Sequence, residues 1–84
     1  MPGTPKEPQS AATVEFGSRV RTLRQAQGWS QERLADVCGL HWTYVGQVER
    51  GRRNLTLHNI LKLADALGTD AGDLVSGLPV PTVG

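Results

Sequence analysis

Gln31, His41, Trp42, Thr43, Tyr44 and Gln47 fall inside one stretch, QERLADVCGLHWTYVGQVER, and Arg52, Arg53 and Asn54 follow it almost at once. These side chains can hydrogen-bond, stack and carry positive charge. A glutamine amide can pair with adenine through two hydrogen bonds, and a threonine can bond a base edge or touch a thymine methyl. Catalytic chemistry would need a different set. Cys38 has no nucleophile signature around it, and His41 and His58 stand 17 residues apart without the cysteine or histidine companions of a zinc site. Glu32 and Asp36 share one side of a helix, which reads as a solvated face. No metal, cofactor or enzymatic activity is expected.

The charge is unevenly divided along the chain. Between residues 16 and 62, seven arginines and Lys62 stand against only Glu32, Asp36 and Glu49. The last 22 residues carry Asp65, Asp70 and Asp73 and no basic residue, so a net charge of +1 conceals a basic middle. A concentrated basic surface attracts phosphate, whereas mixed charge merely solvates.

Five helices are needed to position these groups. Residues 1–12, with Pro2, Pro5 and Pro8 and little apolar content, read as a flexible tail. The domain is expected over residues 13–76. Helix 1 should begin near Thr13 or Val14 and turn Phe16, Val20 and Leu23 inward before Gly28 ends it. Trp29 can pack into the core or stack on a ligand, and its place between two helix ends favours the core. Ser30 caps helix 2, whose inner side is Leu34, Ala35, Val37 and Cys38. Helix 3 runs from about Trp42 to Arg50, stopped by Gly51. Thr56 caps helix 4, Leu55 can staple onto Ile60, and Leu57, Ile60, Leu61, Ala64 and Leu67 form its apolar face up to Gly68. Asp70 caps a short helix 5 around Ala71 to Val75, and residues 77–84 form an irregular tail. No strand alternation appears.

Residues 31–50 carry the informative geometry. Two short helices joined by a tight turn must cross closely. Ala35 is small at the crossing, Gly39 permits the turn, and Val45 and Val48 bury the inner side of helix 3. Trp42, Thr43, Gly46 and Gln47 are left on the other faces, where they can reach a groove.

These pieces (GWSQERLA, the turn CGL, the run VERGRRN and the segment ILKLADALG) resemble the Cro/C1-type, phage-repressor-like helix-turn-helix regulators over about Phe16 to Val75. The string GLHWTYVGQVERGRRNLTL is also similar to short regulators that include restriction–modification controller proteins. The resemblance implies an all-α, five-helix, lambda-repressor-like fold that binds double-stranded operator DNA with helix 3 in the major groove. It implies base contacts from Trp42, Thr43 and Gln47, and phosphate contacts from Gln31, His41, Tyr44, Arg52, Arg53 and Asn54. Trp42 departs from the polar or basic residue usual there, and can pack on a sugar or thymine methyl or fold back over Tyr44. His41 replaces the usual Ser/Thr cap of helix 3 and is expected to cap poorly. Tyr44 serves as a phosphate donor or as a partly buried spacer. Arg53 is expected to neutralise a phosphate without reaching a base. Arg24 and Glu49 are implied as a largely buried ion pair joining helices 1 and 3.

At 84 residues the chain forms one domain with a thin core, which a partner subunit would help to stabilise. One helix-turn-helix reads few base pairs, so a homodimer is expected. Leu74, Val75 and Leu78 are its candidate apolar contacts. Contact with RNA polymerase follows if the operator is suitably placed. The lone cysteine, the absence of a signal-peptide run and the absence of a transmembrane span lead to a cytoplasmic expectation with no membrane partner. The alternative reading is an antitoxin or adaptor that keeps the fold but makes its main contacts with protein.

Overall fold

In the computed structural model, which describes residues 7–82, five helices follow one another: α1 (Ala11–Ala26), α2 (Gln31–Cys38), α3 (Trp42–Glu49), α4 (Leu57–Leu67) and α5 (Ala71–Val75). No strand occurs among the described residues. Ser30, Thr56 and Asp70 cap α2, α4 and α5 through side-chain oxygens that accept from the first-turn amides of Arg33, Asn59 and Gly72. Such caps satisfy backbone donors that have no partner inside the helix. The glycines expected as helix stops, Gly28, Gly39, Gly51 and Gly68, all have positive φ.

Helix α1 starts earlier than the proline-rich opening suggests. Ser10 is its cap: Ser10 Oγ accepts from the Thr13 amide at 3.1 Å, while Thr13 Oγ1 accepts from the Ser10 amide at 3.0 Å. Threonine thus fills the place that glutamate or glutamine takes in the usual reciprocal cap. The Gly51 carbonyl accepts from the Gln9 amide at 2.8 Å and from the Thr13 hydroxyl at 2.7 Å. Residues 9–12, expected in a tail, are therefore tied to the chain just beyond α3. Of the rest of that expected tail, Glu7 and Pro8 are exposed, and residues 1–6, like residues 83–84 of the other tail, lie outside the described residues.

A single core joins all five helices: Phe16 and Val20, Leu34, Ala35 and Cys38, Val45 and Val48, Leu63, Ala64 and Leu67, and Leu74. Two apolar faces differ from expectation. In α2, Leu34, Ala35 and Cys38 form the buried stripe, and Val37, roughly 110° from its centre at about 100° per residue, is exposed. In α4 apolar residues occupy more positions than one face can hold. Leu63, Ala64 and Leu67 are buried, while Leu57 and Leu61 stay 67% and 47% exposed. Trp29 packs half-buried against the core, with the Arg33 guanidinium 5.7 Å from its ring centre.

Two contacts lock α1 onto its neighbours. Arg19 Nη1 donates to the carbonyls of Ser76 at 2.8 Å and Leu74 at 3.3 Å, tying down the end of α5. At Gly17, α1 meets α3 backbone to backbone. A Cβ there would lie 2.8 Å from the Glu49 carbonyl oxygen and closer still to that of Val48. Only hydrogen fits.

Candidate nucleic-acid interface

The interface is assembled outward from a buried charge. Arg24 in α1 donates Nε–H to Glu49 Oε2 at 2.6 Å and Nη2–H to Glu49 Oε1 at 3.0 Å, a planar two-point contact. The side chains retain 11% and 3% of their accessible surface. Arg24 Nη1 also donates to the Trp29 carbonyl at 2.7 Å. The hydrogen bond to Glu49 is the main force raising the Arg24 pKa above its usual value; burial opposes it, and the Glu49 charge assists it.

Glu49 reaches a third group. Its Oε1 accepts from Gln31 Nε2 at 3.0 Å. The first side chain of α2 is thus fixed by the ion pair, with one amide hydrogen committed inside the protein. The oxygen end of the same amide lies beside Gly46, where a Cβ would meet it at 3.3 Å. Gly46, expected on an outward face, is buried against Gln31 and Arg50 instead. A larger residue there would crowd the Gln31 amide.

Helix α3 presents its first turn to solvent. Trp42, 51% exposed, lies beside His41 with ring centroids 6.1 Å apart, and the Tyr44 ring is covered by the Arg53 guanidinium at 5.4 Å. His41 caps α3 effectively, contrary to expectation. Its Nδ1 accepts from the Thr43 amide at 3.2 Å and lies 2.6 Å from Thr43 Oγ1. An imidazole acceptor can take the place of a hydroxyl because the extended backbone at His41 swings the ring over the first turn. Thr43 is exposed, while Tyr44 is half-buried and accepts at its hydroxyl from Asn59 Nδ2 at 3.1 Å. Nothing in the spacing pointed to Asn59, which comes from α4.

The chain after α3 folds back on the helix. Gly51, at φ +76°, donates to the Val48 carbonyl, and the Arg52 amide donates to the Gln47 carbonyl at 2.9 Å. This pair of bonds requires a left-handed residue at the turn. It returns Arg52 and Arg53 to the flank of α3, and Arg53 Nε–H donates to Gln47 Oε1 at 2.7 Å. Expected as separate base and phosphate contacts, Gln47 and Arg53 are joined. Asn54 is exposed but borders a groove lined by Ala12, Thr13, Phe16 and Leu55.

Of the candidate subunit contacts, Leu74 is corrected outright. It is 0% exposed because it is the one buried position of α5, so it cannot meet another subunit. Leu78 is half-buried against the core, and Val75 is exposed. The exposed leucines of α4 were not anticipated. Among the described residues no group of His, Cys, Asp and Glu is placed to hold a metal ion, and no helix is long and apolar enough to cross a membrane.

The sequence profile of the family described as Helix-turn-helix matches residues 20–74. Control protein C.BamHI from Bacillus amyloliquefaciens is 48% identical over 61 residues, covering 71% of this chain and 75% of its own. The crystal structure of the restriction–modification controller protein C.AhdI from Aeromonas hydrophila aligns at 56% identity with a TM-score of 0.74, covering 76% of this chain and 97% of that one. The P22 c2 repressor in complex with a synthetic operator aligns at 27% identity with a TM-score of 0.70, over 74% of this chain and 94% of its own.

Proposed function

The chain belongs to the helix-turn-helix family of Cro/C1 type, and from that premise we propose that it is a transcriptional regulator binding operator DNA as a homodimer, with α3 in the major groove. The observation that carries this reading is the exposed first turn of α3, Trp42 and Thr43, flanked by Arg52 and Arg53 folded back along the same helix. The fold likeness to a repressor bound to its operator supports it.

In this reading Thr43, Gln47 and Trp42 meet base edges. Arg52 and Arg53 supply charge to phosphates beside them, and Gln31, His41 and Tyr44 approach the backbone. Phosphate contacts set the position of the protein, and base contacts select the sequence. Asn54 joins the phosphate set only at its edge, since it borders the α1 groove. The dimer is built on Val75 with the exposed Leu57 and Leu61, rather than on Leu74. Occupancy of an operator is the mechanism: the dimer blocks RNA polymerase or, from a suitable position, contacts it. No catalytic step is assigned, and the place of action is the cytoplasm, where such an operator lies.

A mobility-shift titration on a random-sequence duplex at low salt tests the reading. Retarded DNA that is released as salt rises is the expected result, because phosphate contacts displace counterions. A protein that leaves DNA unshifted at every salt concentration would instead favour the adaptor alternative.

A further inference from the structure

Arg53 sits within a continuous series of side-chain contacts that draws on three parts of the fold. Asn59 of α4 donates to the Tyr44 hydroxyl at 3.1 Å, and the Tyr44 ring carries the Arg53 guanidinium 5.4 Å from its centre. Arg53 Nε–H in turn donates to Gln47 Oε1 at 2.7 Å. All four residues are half-buried.

We propose that Arg53 is a specificity-determining positioning residue, which locks the Gln47 amide in one orientation and so makes base discrimination by Gln47 depend on the phosphate-side arginine. The inference rests on the DNA-binding reading above. Its physical content is the symmetry of the amide. Oxygen and nitrogen ends have nearly the same shape, so an unrestrained glutamine can rotate to offer a donor or an acceptor at one point in space. Such a side chain adapts to the wrong base at low cost. With Oε1 held by a cationic donor, rotation would set the NH2 group against the arginine N–H, donor against donor, and is disfavoured. The stack on Tyr44 and the bond from Asn59 to that tyrosine keep the guanidinium plane from following. Lysine cannot take this role, because it lacks both the planar face and the donor at the Nε position.

Charge and orientation are therefore separable at one residue. A randomised duplex library, sequenced after selection with the wild-type protein, supplies a consensus duplex and its single-base variants. Affinities on these are measured at matched salt for wild type, Arg53→Lys, Gln47→Ala and the double variant, with melting curves as folding controls. Arg53→Lys should keep the wild-type salt slope yet lose about ten-fold in discrimination at one base pair, the one that Gln47→Ala also relaxes. The double variant should discriminate no worse than Gln47→Ala alone. Tyr44→Leu, which removes the platform but leaves the arginine charge, should reproduce the Arg53→Lys loss if it stays folded.

Full discrimination in Arg53→Lys would overturn the proposal, as would an equal loss on every duplex or losses that multiply in the double variant. Wild-type protein without salt-dependent affinity for any duplex would overturn the DNA-binding reading as well, and so is distinguishable from failure of the positioning role alone.

Discussion

Arg24 grips Glu49 at two points, Nε to Oε2 at 2.6 Å and Nη2 to Oε1 at 3.0 Å, and the same carboxylate holds Gln31. Removing either partner leaves a shielded charge without compensation. Arg24→Ala and Glu49→Ala should each lose on the order of 3–5 kcal/mol in urea unfolding. The Arg24 pKa is raised in the folded protein, so its contribution is complete below the ordinary arginine range and fades only as strongly alkaline pH passes the folded value. A melting profile that changes across neutral pH would have to come from other groups. Alanine variants that unfold like the parent would show that the pair does not carry this load.

Gly17→Ala sets two effects of opposite sign against each other. Helix propensity alone predicts a gain of roughly 1 kcal/mol from alanine inside α1. The Val48 and Glu49 carbonyls occupy the space that its methyl needs, and both belong to backbone. Forced separation of packed elements costs about 1–3 kcal/mol or more, so the net change should be destabilising. Thermal denaturation decides it: a higher melting temperature for Gly17→Ala would mean that α1 and α3 can move apart freely.

Leu61 and Leu74 should respond to substitution in different ways. Leu61 is exposed on α4, so Leu61→Asp should leave the monomer folded and shift sedimentation toward it. Leu74 is fully buried, so Leu74→Ala should cost about 2–5 kcal/mol of folding stability. Persistence of the dimer in Leu61→Asp at low concentration would move the subunit contact off α4.

Gln47 and Arg52 separate the two kinds of DNA contact. Gln47→Ala should cost about 1–3 kcal/mol on the selected duplex and relax preference at one base pair. Arg52→Ala should weaken all duplexes alike and lower the slope of log affinity against log salt by about one unit. Competition binding at several salt concentrations measures both. A sequence-dependent loss in Arg52→Ala would transfer base reading to the loop.

Cys38 is shielded in the core at the end of α2, and burial pushes its thiol pKa up. Little thiolate is therefore available in the folded protein near neutrality. Alkylation should follow global unfolding, accelerating with denaturant in step with loss of helix. Because the folded pKa is raised, any stability linked to the neutral thiol is retained below the ordinary thiol range and lost as pH rises from there through the folded value. Rapid labelling without denaturant would indicate local opening at the turn between α2 and α3.

Local signals were legible wherever one residue type answers one backbone need. Ser30 and Thr56 could be read as caps and Gly39 and Gly51 as turns, since few residues satisfy those geometries. The inner faces were harder. LHNILKLADAL offers leucines on two adjoining stripes, and only packing of α4 against α2 and α1 selects Leu63 over Leu61. Gly17 carried only a weak signal, a glycine inside α1 that lowers helix propensity without ending or turning the helix. The joining of Arg53 to Gln47, and of Tyr44 to Asn59, had none: each bond depends on how the chain returns after Gly51 or on how near the start of α4 comes to Tyr44.

The backbone contact at Gly17 has a consequence for retargeting. The approach of α3 to α1 is limited there by main-chain atoms, and the Arg24–Glu49 pair with the buried Phe16, Val20, Val45 and Val48 holds it from the inner side, away from the outward residues. Exchanging Trp42 or Thr43 therefore leaves the pitch of the helix unaltered. A grafted set of outward residues would inherit the same angle of approach, so new binding preferences can be installed at these positions without rebuilding the scaffold. Position 47 is the exception, because a newcomer there must also come to terms with Arg53.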